Sequence, residues 1–406
     1  MNSSFYSLAG QSFAGQEARI ATLEQQLSTG SKVPTAAANP AAYVGNQADQ
    51  ATVQRLDALN AGQVNIQQTL GTATLAMGQT TTALDHIQSI ALEAVNGTTS
   101  AQDFQALSQQ VGQGLQQILS LANTQGSNGN YVFAGTAKQT QPFVTGASGG
   151  VSYVGNDGTS AVEISPGVTV NAALSGSVFT NVASGNGFAS VSAAASNTGS
   201  ATVMATGVSN ASAATAFQSG STPTTLAFSS SANGAVSYTA TSGGSTIGSG
   251  PVNTANGAST SITLNGVELT VSGPAKAGDS FTVAPSRPQS IFDLVKQIQT
   301  ALASPGTTPA ARAQTRQLIG NSLATIVQYQ HRLAGASAKA GVILQATSAA
   351  ATSNAQASTS AQENAGALVS ANTPQVLSEL QNRTSALQAA MKAFSVASQL
   401  NLFKYL

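Results

Sequence analysis

Apolar side chains recur at alternating spacings of three and four residues from Leu56 to Ala94. Ten of the twelve positions in this stripe are apolar, and Gln63 and Thr80 are the exceptions. A repeat sustained over about five heptads predicts one long helix with a narrow apolar seam, as in coiled-coil packing. At 1.5 Å per residue, the predicted span 51–95 is roughly 65 Å long. We expect Leu70→Asp or Leu84→Asp to collapse the helical part, because each places an unpaired charge in the seam. Gln63→Glu, at a position that is already polar, should be mild by comparison.

Helix-start signals divide the rest of the two chain ends into further helices. Asn39, followed by proline, is a good helix start because Asn caps and Pro suits the first turn. Ser290 precedes an apolar run and Asp293 stands three residues on, which predicts a capping box. Thr-Pro pairs at 308–309 and 373–374 open two more helices. The apolar faces of these helices contain Phe104, Leu107, Val111, Ile118, Leu121, Ile291, Leu294, Val295, Ile298, Leu302, Ile319, Leu323, Ile326, Leu333, Ala340, Leu344 and Leu380.

Residues 140–285 have a different character, with five charged residues and 21 of the 39 glycines. Apolar and polar residues alternate there with the period of two that half-buried strands show. Asn265–Gly266, between two such runs, is a strong hairpin signal because both residues tolerate positive φ. The pattern predicts an antiparallel β region of one or two subdomains and assigns no fold to 183–260. The segment "GNYVFAG" at 129–135 is predicted as the junction, where glycines end a helix and aromatic residues begin the sheet's edge.

The predicted fold is therefore α+β. A long antiparallel helical bundle or coiled coil is formed by the N- and C-terminal parts, and an antiparallel β domain is inserted between them. We expect the helical core to fold without the inserted domain, because the flanking helices bury their apolar stripes on each other. The predicted divisions are a terminal assembly helix at 1–33, helical core at 34–139, a β-rich outer domain at 140–285, helical core at 286–373 and a second terminal assembly helix at 374–406.

Composition narrows the function classes. Charged residues make up 7% of the 406 residues, and the formal net charge is zero. The fourteen Lys and Arg residues form no basic patch for nucleic acid, and no charged tail would tether the chain to a membrane. Low charge with 41% hydrophobic residues favours a chain whose surface is covered by other copies of itself. The chain has no cysteine, and its N-terminal sequence is unlike a secretory signal peptide.

Residue patterns typical of catalysis or cofactor binding are missing. His86 and His331 lie in helical stretches, and Asp85 is the only obvious third ligand, so both histidines are interpreted as ordinary helix residues. No nucleophile elbow and no phosphate-binding loop with its lysine occur. Carboxylates are sparse in the β region, so a carboxylate-pair hydrolase is unsupported. We therefore expect no enzyme activity, no cofactor and no metal.

Each chain end has an apolar side with few evident partners in its own chain, so we expect these residues to contact other subunits. The predicted contact residues are Ile20, Leu23, Leu27, Leu387, Met391, Phe394, Leu400, Leu402, Phe403 and Leu406.

Four segments resemble the flagellin superfamily. "LEQQLSTGSKVPTAAANPAAYV" at 23–44 is similar to that superfamily's N-terminal signature, although "AAN" replaces its acidic pair. "GSNGNYVFAGTAKQTQPF" at 126–143 resembles a segment of the hook-associated protein 3 family, which forms the hook–filament junction. "ITLNGVELTVSGPAKAGDSFTV" at 262–283 is similar to an element of hook-associated proteins, and residues 387–406 resemble that family's closing amphipathic helix.

This resemblance implies a structural subunit of the bacterial flagellum, located outside the cell. The subunit would be exported through the flagellar type III pathway and would polymerise between hook and filament. The implied partners are other copies of the chain, the first hook-associated protein, flagellin and a flagellar export chaperone. Two alternatives remain: flagellin itself, which has the same fold, and a secreted surface adhesin that uses the Ser/Thr-rich β region.

Overall fold

The computed structural model describes residues 2–33, 35–95, 100–147, 149–253 and 257–402. Helices come first and last along the chain, with all the strands between them, which confirms the predicted α+β arrangement. The helices are α1 (Asn2–Thr29), α2 (Pro40–Val95), α3 (Ala101–Ala122), α4 (Ala211–Ser219), α5 (Ile291–Ala303), α6 (Pro309–Val369) and α7 (Thr373–Leu402), with a short 3₁₀ helix at Gly176–Phe179.

The strands form two larger sheets and three pairs. The five-stranded sheet has the order β10-β9-β8-β13-β6, and the three-stranded sheet has the order β11-β12-β7. The pairs are β1-β2, β3-β4 and β5-β14. The strands are β1 (Phe143–Thr145), β2 (Val151–Tyr153), β3 (Ala161–Ser165), β4 (Val168–Asn171), β5 (Val182–Ala183), β6 (Ala189–Ala193), β7 (Thr202–Val208), β8 (Thr224–Ser230), β9 (Val236–Ser242), β10 (Ser245–Val252), β11 (Ser259–Leu264), β12 (Val267–Ser272), β13 (Ser280–Pro285) and β14 (Pro288–Gln289).

The heptad stripe predicted in α2 is its buried face. Eleven of the twelve stripe positions are buried, and Leu59 is half-buried. The helix begins at Pro40, earlier than the apolar repeat, because Asn39 caps it: the Asn39 side-chain oxygen accepts from the Ala42 N–H at 3.1 Å. The register read from the sequence is therefore correct along the helix.

The capping box predicted at Ser290 needs correction. At the start of α5 the Ser290 hydroxyl accepts from the Phe292 N–H at 3.2 Å, but the described bonds do not include the reciprocal bond from Asp293. The full capping box lies instead at α3, where the Ser100 hydroxyl and the Asp103 carboxylate each accept from the other's backbone N–H. The Ser100–Asp103 spacing carries the same sequence signal as the Ser290–Asp293 spacing.

The chain divides into two compact units. The central unit contains residues 64–163 and 167–348, and the terminal unit contains the residues up to 63, 164–166 and those from 349 onward.

The helical core of the central unit is formed by α3, α5 and the parts of α2 and α6 that belong to this unit. The segment "GNYVFAG" packs into this core and does not form a sheet edge: Phe133 is buried there, and its ring meets that of Phe179 edge-on at 5.0 Å. Phe143 packs on Phe179 and on Phe292 in the same cluster. Helix α3 ends at Asn123, whose N–H bonds the helix carbonyls, and not at a glycine. The aromatic burst therefore belongs to the helical core.

The β region, residues 184–287, has a hydrophobic core of its own between the two larger sheets. Asn265 and Gly266 turn the chain between β11 and β12 with φ of 53° and 77°, which confirms the predicted hairpin. Residues 183–260, which the sequence pattern left unassigned, supply β6 to β10 and α4. The chain enters and leaves the region through a paired neck, where the Ser184 N–H donates to the Arg287 carbonyl at 3.0 Å.

In the terminal unit, α1 and α7 pack along each other. The turn that follows α1 and the turn that follows α6 are also hydrogen-bonded to each other. Lys32 donates its N–H to the Val369 carbonyl at 2.7 Å, and Ala371 donates its N–H to the Gly30 carbonyl at 2.9 Å. Gly30 adopts a φ of 66°, which favours glycine.

The tip of the β3–β4 hairpin lies among the helices of the same unit. The Ile164 carbonyl accepts from the side-chain amides of both Gln63 and Asn354, and the Ser165 hydroxyl donates to the Asn354 oxygen at 2.9 Å. Gln63 and Asn354 are both buried. The polar residue in the α2 stripe is thus a hydrogen-bonding group of the interior.

Candidate assembly interface

The terminal helices are joined by a mixed aliphatic and aromatic contact. Leu23 of α1 and Leu387 of α7 are buried. The ring of Phe394 meets the rings of Tyr6 and Phe13 edge-on, at centroid distances of 5.5 and 5.6 Å. Edge-to-face pairs of this kind stabilise a helix contact beyond their buried area. The apolar stripes at the two chain ends therefore pair with each other within one chain.

The predicted contact residues take different positions on these helices. Leu23 and Leu387 are buried, and Ile20, Leu27 and Phe394 are half-buried on the side where the helices meet. Met391 is 45% exposed. Two more members lie in α7 with side chains outside the described residues, and two lie beyond them; these four are Leu400, Leu402, Phe403 and Leu406. The predicted role of the whole set in contacts between subunits stays a prediction.

A second group of large apolar residues in this unit remains substantially exposed. Apart from Met391, its members lie outside the predicted set because that set rests on spacings of three and four, and in a paired helix those spacings mark the face used within the chain. A large apolar residue outside the stripe, on a helix with few charges, is the sequence signal that would indicate this group. The members are Tyr6, Leu8, Val44, Leu377, Met391 and Val396.

Electrostatics contribute little to this surface. Glu379 and Arg383 form an ion pair at 2.8 Å one turn apart on α7, and both side chains are partly exposed. An exposed i, i+4 pair of this kind adds about 0.3–0.5 kcal/mol to helix stability. Charge pairing between these side chains therefore contributes little to the stability of α7.

The residues with potential chemistry are dispersed. His86 and His331 are exposed on their helices, and the Asp85 carboxylate accepts from the Gln330 amide at 2.7 Å. Among the described residues no three His, Cys, Asp or Glu side chains are grouped so that they could hold a metal ion. No helix in the described part of the chain is long and apolar enough to span a bilayer.

Among the described residues, Tyr329 is the one titratable group buried in the helical core whose pKa is clearly displaced. Burial raises the pKa of its hydroxyl above the ordinary value, and the nearby Asp293 carboxylate adds to the effect. The hydroxyl donates to the Phe179 carbonyl at 3.2 Å and also contacts the Gln289 carbonyl. Tyr329 is therefore a neutral structural donor that connects α6 to the aromatic cluster and the neck.

A cleft of about 1210 Å³ opens in the central unit between the β region and helices α5 and α6. Its walls include Ser190 and Ser192 of β6, Arg287 of the neck and Lys296 of α5. The guanidinium of Arg287 donates to the carbonyls of Gln218 and Gly220 at the end of α4. The cleft thus borders the joint between the β region and the helices.

Comparisons with known proteins agree with this architecture. Residues 4–138 match the bacterial flagellin N-terminal helical region. The crystal structure of flagellar hook-associated protein 3 from Legionella pneumophila superposes with a TM-score of 0.72 at 24% identity, over 79% of this chain and 98% of that one. The fold is that of flagellar hook-associated protein 3.

Two further relatives carry related names. The flagellar junction protein FlgL from Legionella pneumophila has a TM-score of 0.66 at 24% identity, and the match covers 74% of this chain and 98% of that chain. Flagellar hook-associated protein 3 from Escherichia coli (strain K12) is 35% identical over 125 residues, which are 29% of this chain. The match spans 38% of the length of that curated relative. The hook-associated protein 3 fold is therefore shared along most of the chain, while close sequence similarity is confined to a part of it.

Proposed function

We propose that this chain is a structural subunit of the bacterial flagellum that joins hook to filament outside the cell. The observation that carries the proposal is the match of nearly the whole length of hook-associated protein 3 from Legionella pneumophila to this chain. The flagellin N-terminal helical region at residues 4–138 supports the same assembly class. Copies of the chain would form a helical ring, with the first hook-associated protein on one side and flagellin on the other. A flagellar export chaperone would hold the chain before export.

The terminal helices would carry the contacts between subunits. Leu8 is 68% exposed and Val396 is 57% exposed, although both are large apolar side chains on helices with few charges. Burying such side chains contributes roughly 1.5–3 kcal/mol each, which favours association with a similar apolar surface. Met391, already among the predicted contact residues, belongs to this exposed group. We propose that the exposed group extends the contacts predicted from the stripe.

The proposal is tested by deleting the gene for this chain and complementing the strain. The deletion should leave hooks without filaments, and flagellin should leak into the medium. Met391→Asp should fail to restore motility, because it places a charge in the proposed contact, whereas Ser385→Asp at an exposed polar position of α7 should restore it. Both purified variants should melt like the parent protein. Normal filaments in the deletion strain would exclude the junction role.

Flagellin is the second candidate, and the flagellin N-terminal helical region favours it as much as the junction protein. The number of copies per flagellum separates the two. Thousands of copies along the filament identify a flagellin, and a number near one helical ring identifies a junction protein. Binding of a glycan or surface ligand by the β region, with flagella unaffected by the deletion, would identify an adhesin.

A further inference from the structure

Five polar side chains follow one face of α6 beside the β region. They are spaced by three or four residues, so they lie in a row along the helix. We name this row the α6 polar stripe; its members are Gln314, Gln317, Asn321, Thr325 and Gln328. Two of them, Gln317 and Thr325, are almost completely buried.

The stripe binds backbone groups of β6, which is an edge strand of the five-stranded sheet. The side-chain amides of both Gln317 and Asn321 donate to the Val191 carbonyl, and the Asn321 oxygen accepts from the Val191 N–H at 3.4 Å. Gln314 donates to the carbonyls of Ala194 and Ala195 at 3.2 Å, just beyond the strand. A helix side-chain row thus supplies the hydrogen bonds that a neighbouring strand would otherwise supply to this edge.

Gln317 also binds β7, which is an edge strand of the three-stranded sheet. Its oxygen accepts from the Val203 N–H at 2.7 Å, and its amide donates to the Val203 carbonyl at 2.6 Å. One side chain therefore bonds the edges of both sheets. Because each bond is directional, the pair of sheets has one preferred angle to the helix.

The remaining members of the stripe bind the chain where it enters the β region. The Thr325 hydroxyl accepts from the Gly185 N–H at 2.8 Å, and Gln328 donates to the Asn186 carbonyl at 3.4 Å. Apolar contact at this joint is local: Met204 of β7 occupies the space beside Gly320, where an added Cβ would lie 2.2 Å from the Met204 Cε. The cleft described above opens along the same joint, so dense packing does not hold the β region on that side.

We infer that the α6 polar stripe is a positioning joint that sets the direction of the β region relative to α6. The β region has a complete core of its own and is connected to the helical core through the narrow neck. Without the stripe the two cores remain folded, and the β region turns about the neck into the space of the cleft. The stripe, and not the neck, determines the angle.

The absence of cysteine from the chain makes a distance measurement direct. Spin labels are attached after Gln105→Cys on α3 and Ala232→Cys in the β8–β9 turn, both exposed positions of the central unit. The distance distribution is measured by pulsed electron paramagnetic resonance. With the native stripe it should show one narrow peak. In Gln317→Ala/Asn321→Ala the width should increase about twofold or more, because the directional bonds to both sheet edges are removed.

Thermal melts show whether each variant is folded, and a matched control variant tests whether the effect is specific to the stripe. Gln345→Ala removes an exposed amide from the same helix and should leave the distribution unchanged. If the double variant does not fold, Gln314→Ala/Gln328→Ala serves instead, since those side chains are only partly buried. An unchanged narrow distribution in a folded stripe variant would overturn the inference. A broad distribution in the native chain would overturn it as well.

Discussion

Gln63 illustrates how one polar residue in an apolar stripe acquires a role that the pattern does not indicate. Its position in the heptad repeat predicts that Gln63 lies on the buried face of α2, and the side chain is indeed buried. Its partner, the Ile164 carbonyl, lies 101 residues away on a hairpin tip, and the helical period carries no information about it. The structure therefore revises the expectation that Gln63→Glu is mild. A carboxylate at this position would have no proton to donate and would face a carbonyl oxygen.

Gln63→Glu should lower the free energy of unfolding at pH 7 by about 3 kcal/mol or more, because it buries an unpaired charge. Burial raises the pKa of such a carboxyl, so the penalty should shrink as the pH falls through that raised pKa. Urea denaturation at pH 7 and pH 5 checks both effects. Gln79→Glu, at an exposed position of the same helix, should change stability little at either pH. Equal losses for the two variants would show that the Ile164 bond is unimportant.

The capping box of α3 makes a pH-dependent prediction. The Ser100 hydroxyl and backbone N–H hold the pKa of Asp103 below its ordinary value. A lowered folded-state pKa stabilises the fold above the unfolded pKa of about 4, and this contribution is lost as the pH falls through the folded pKa. Ser100→Ala removes the larger cause, so the Asp103 pKa should rise toward its ordinary value. Carboxyl titration by NMR measures it, and Ser89→Ala on α2 should leave it unchanged.

Among the elements, the β11–β12 hairpin depends on a glycine with two constraints. Gly266 has a φ of 77°, and an added Cβ would lie 2.4 Å from the Asn210 carbonyl oxygen. Gly266→Ala should therefore cost about 3 kcal/mol or more, since backbone strain and a backbone clash add together. Gly234 has a φ of 81° with open space around it, so Gly234→Ala should cost only about 1 kcal/mol. Denaturant unfolding of the two variants compares them, and similar losses would exclude the clash.

The predictable elements are those determined by local periodicity. The α2 stripe, the Asn39 cap and the Asn265–Gly266 turn each rest on a spacing or a backbone preference, and the structure confirms all three. The sequence pattern assigns the segment around Phe133 to a sheet edge, whereas the segment packs into the helical core. A short run of aromatic residues has the same local pattern in a strand as in a loop that packs into a core. The pattern assigns no fold to residues 183–260 because Gly, Ser, Thr and Ala differ little in hydrophobicity. Their alternation therefore does not clearly separate the buried face of a strand from its exposed face.

At the scale of the whole molecule, the packing shows which residues can be deleted with the β region without loss of the helical core. Phe143 and Phe179 are fully buried in the helical core, although both lie within the predicted outer domain 140–285. Replacing 185–286 by a short Gly-Ser linker should leave a cooperative, helical protein, because the flanking residues already pair at the neck. Removing 140–285 should abolish cooperative melting, since a lost core Phe costs about 3–5 kcal/mol. Circular dichroism melts compare the two deletions, and equal behaviour would contradict this division.

The candidate assembly surface was only partly predictable for a related reason. Sequence periodicity identifies a face that must be buried, but not whether the partner is in the same chain. Leu23 and Leu387 are buried by α1–α7 packing within this chain. The exposed residues, such as Leu8 and Val396, have no periodic partner in the sequence and become visible only when their exposure is known. The α6 polar stripe could not be predicted from the sequence either, because its partners are backbone groups, which every residue type carries.

The crosswise bonds between the two turns of the terminal unit have a consequence for polymers of identical chains. In such a polymer a terminal helix of one copy is close to the equivalent site of its neighbours, and exchange of identical elements is a low-cost route to wrong connections. The Lys32–Val369 and Ala371–Gly30 bonds tie the base of α1 to the base of α7. Exchange of either helix alone would break both bonds unless the neighbouring copy supplied the same turn in the same place. The two bonds therefore link the position of α1 to that of α7, and displacing one helix from its own chain would also disturb the turn that holds the other.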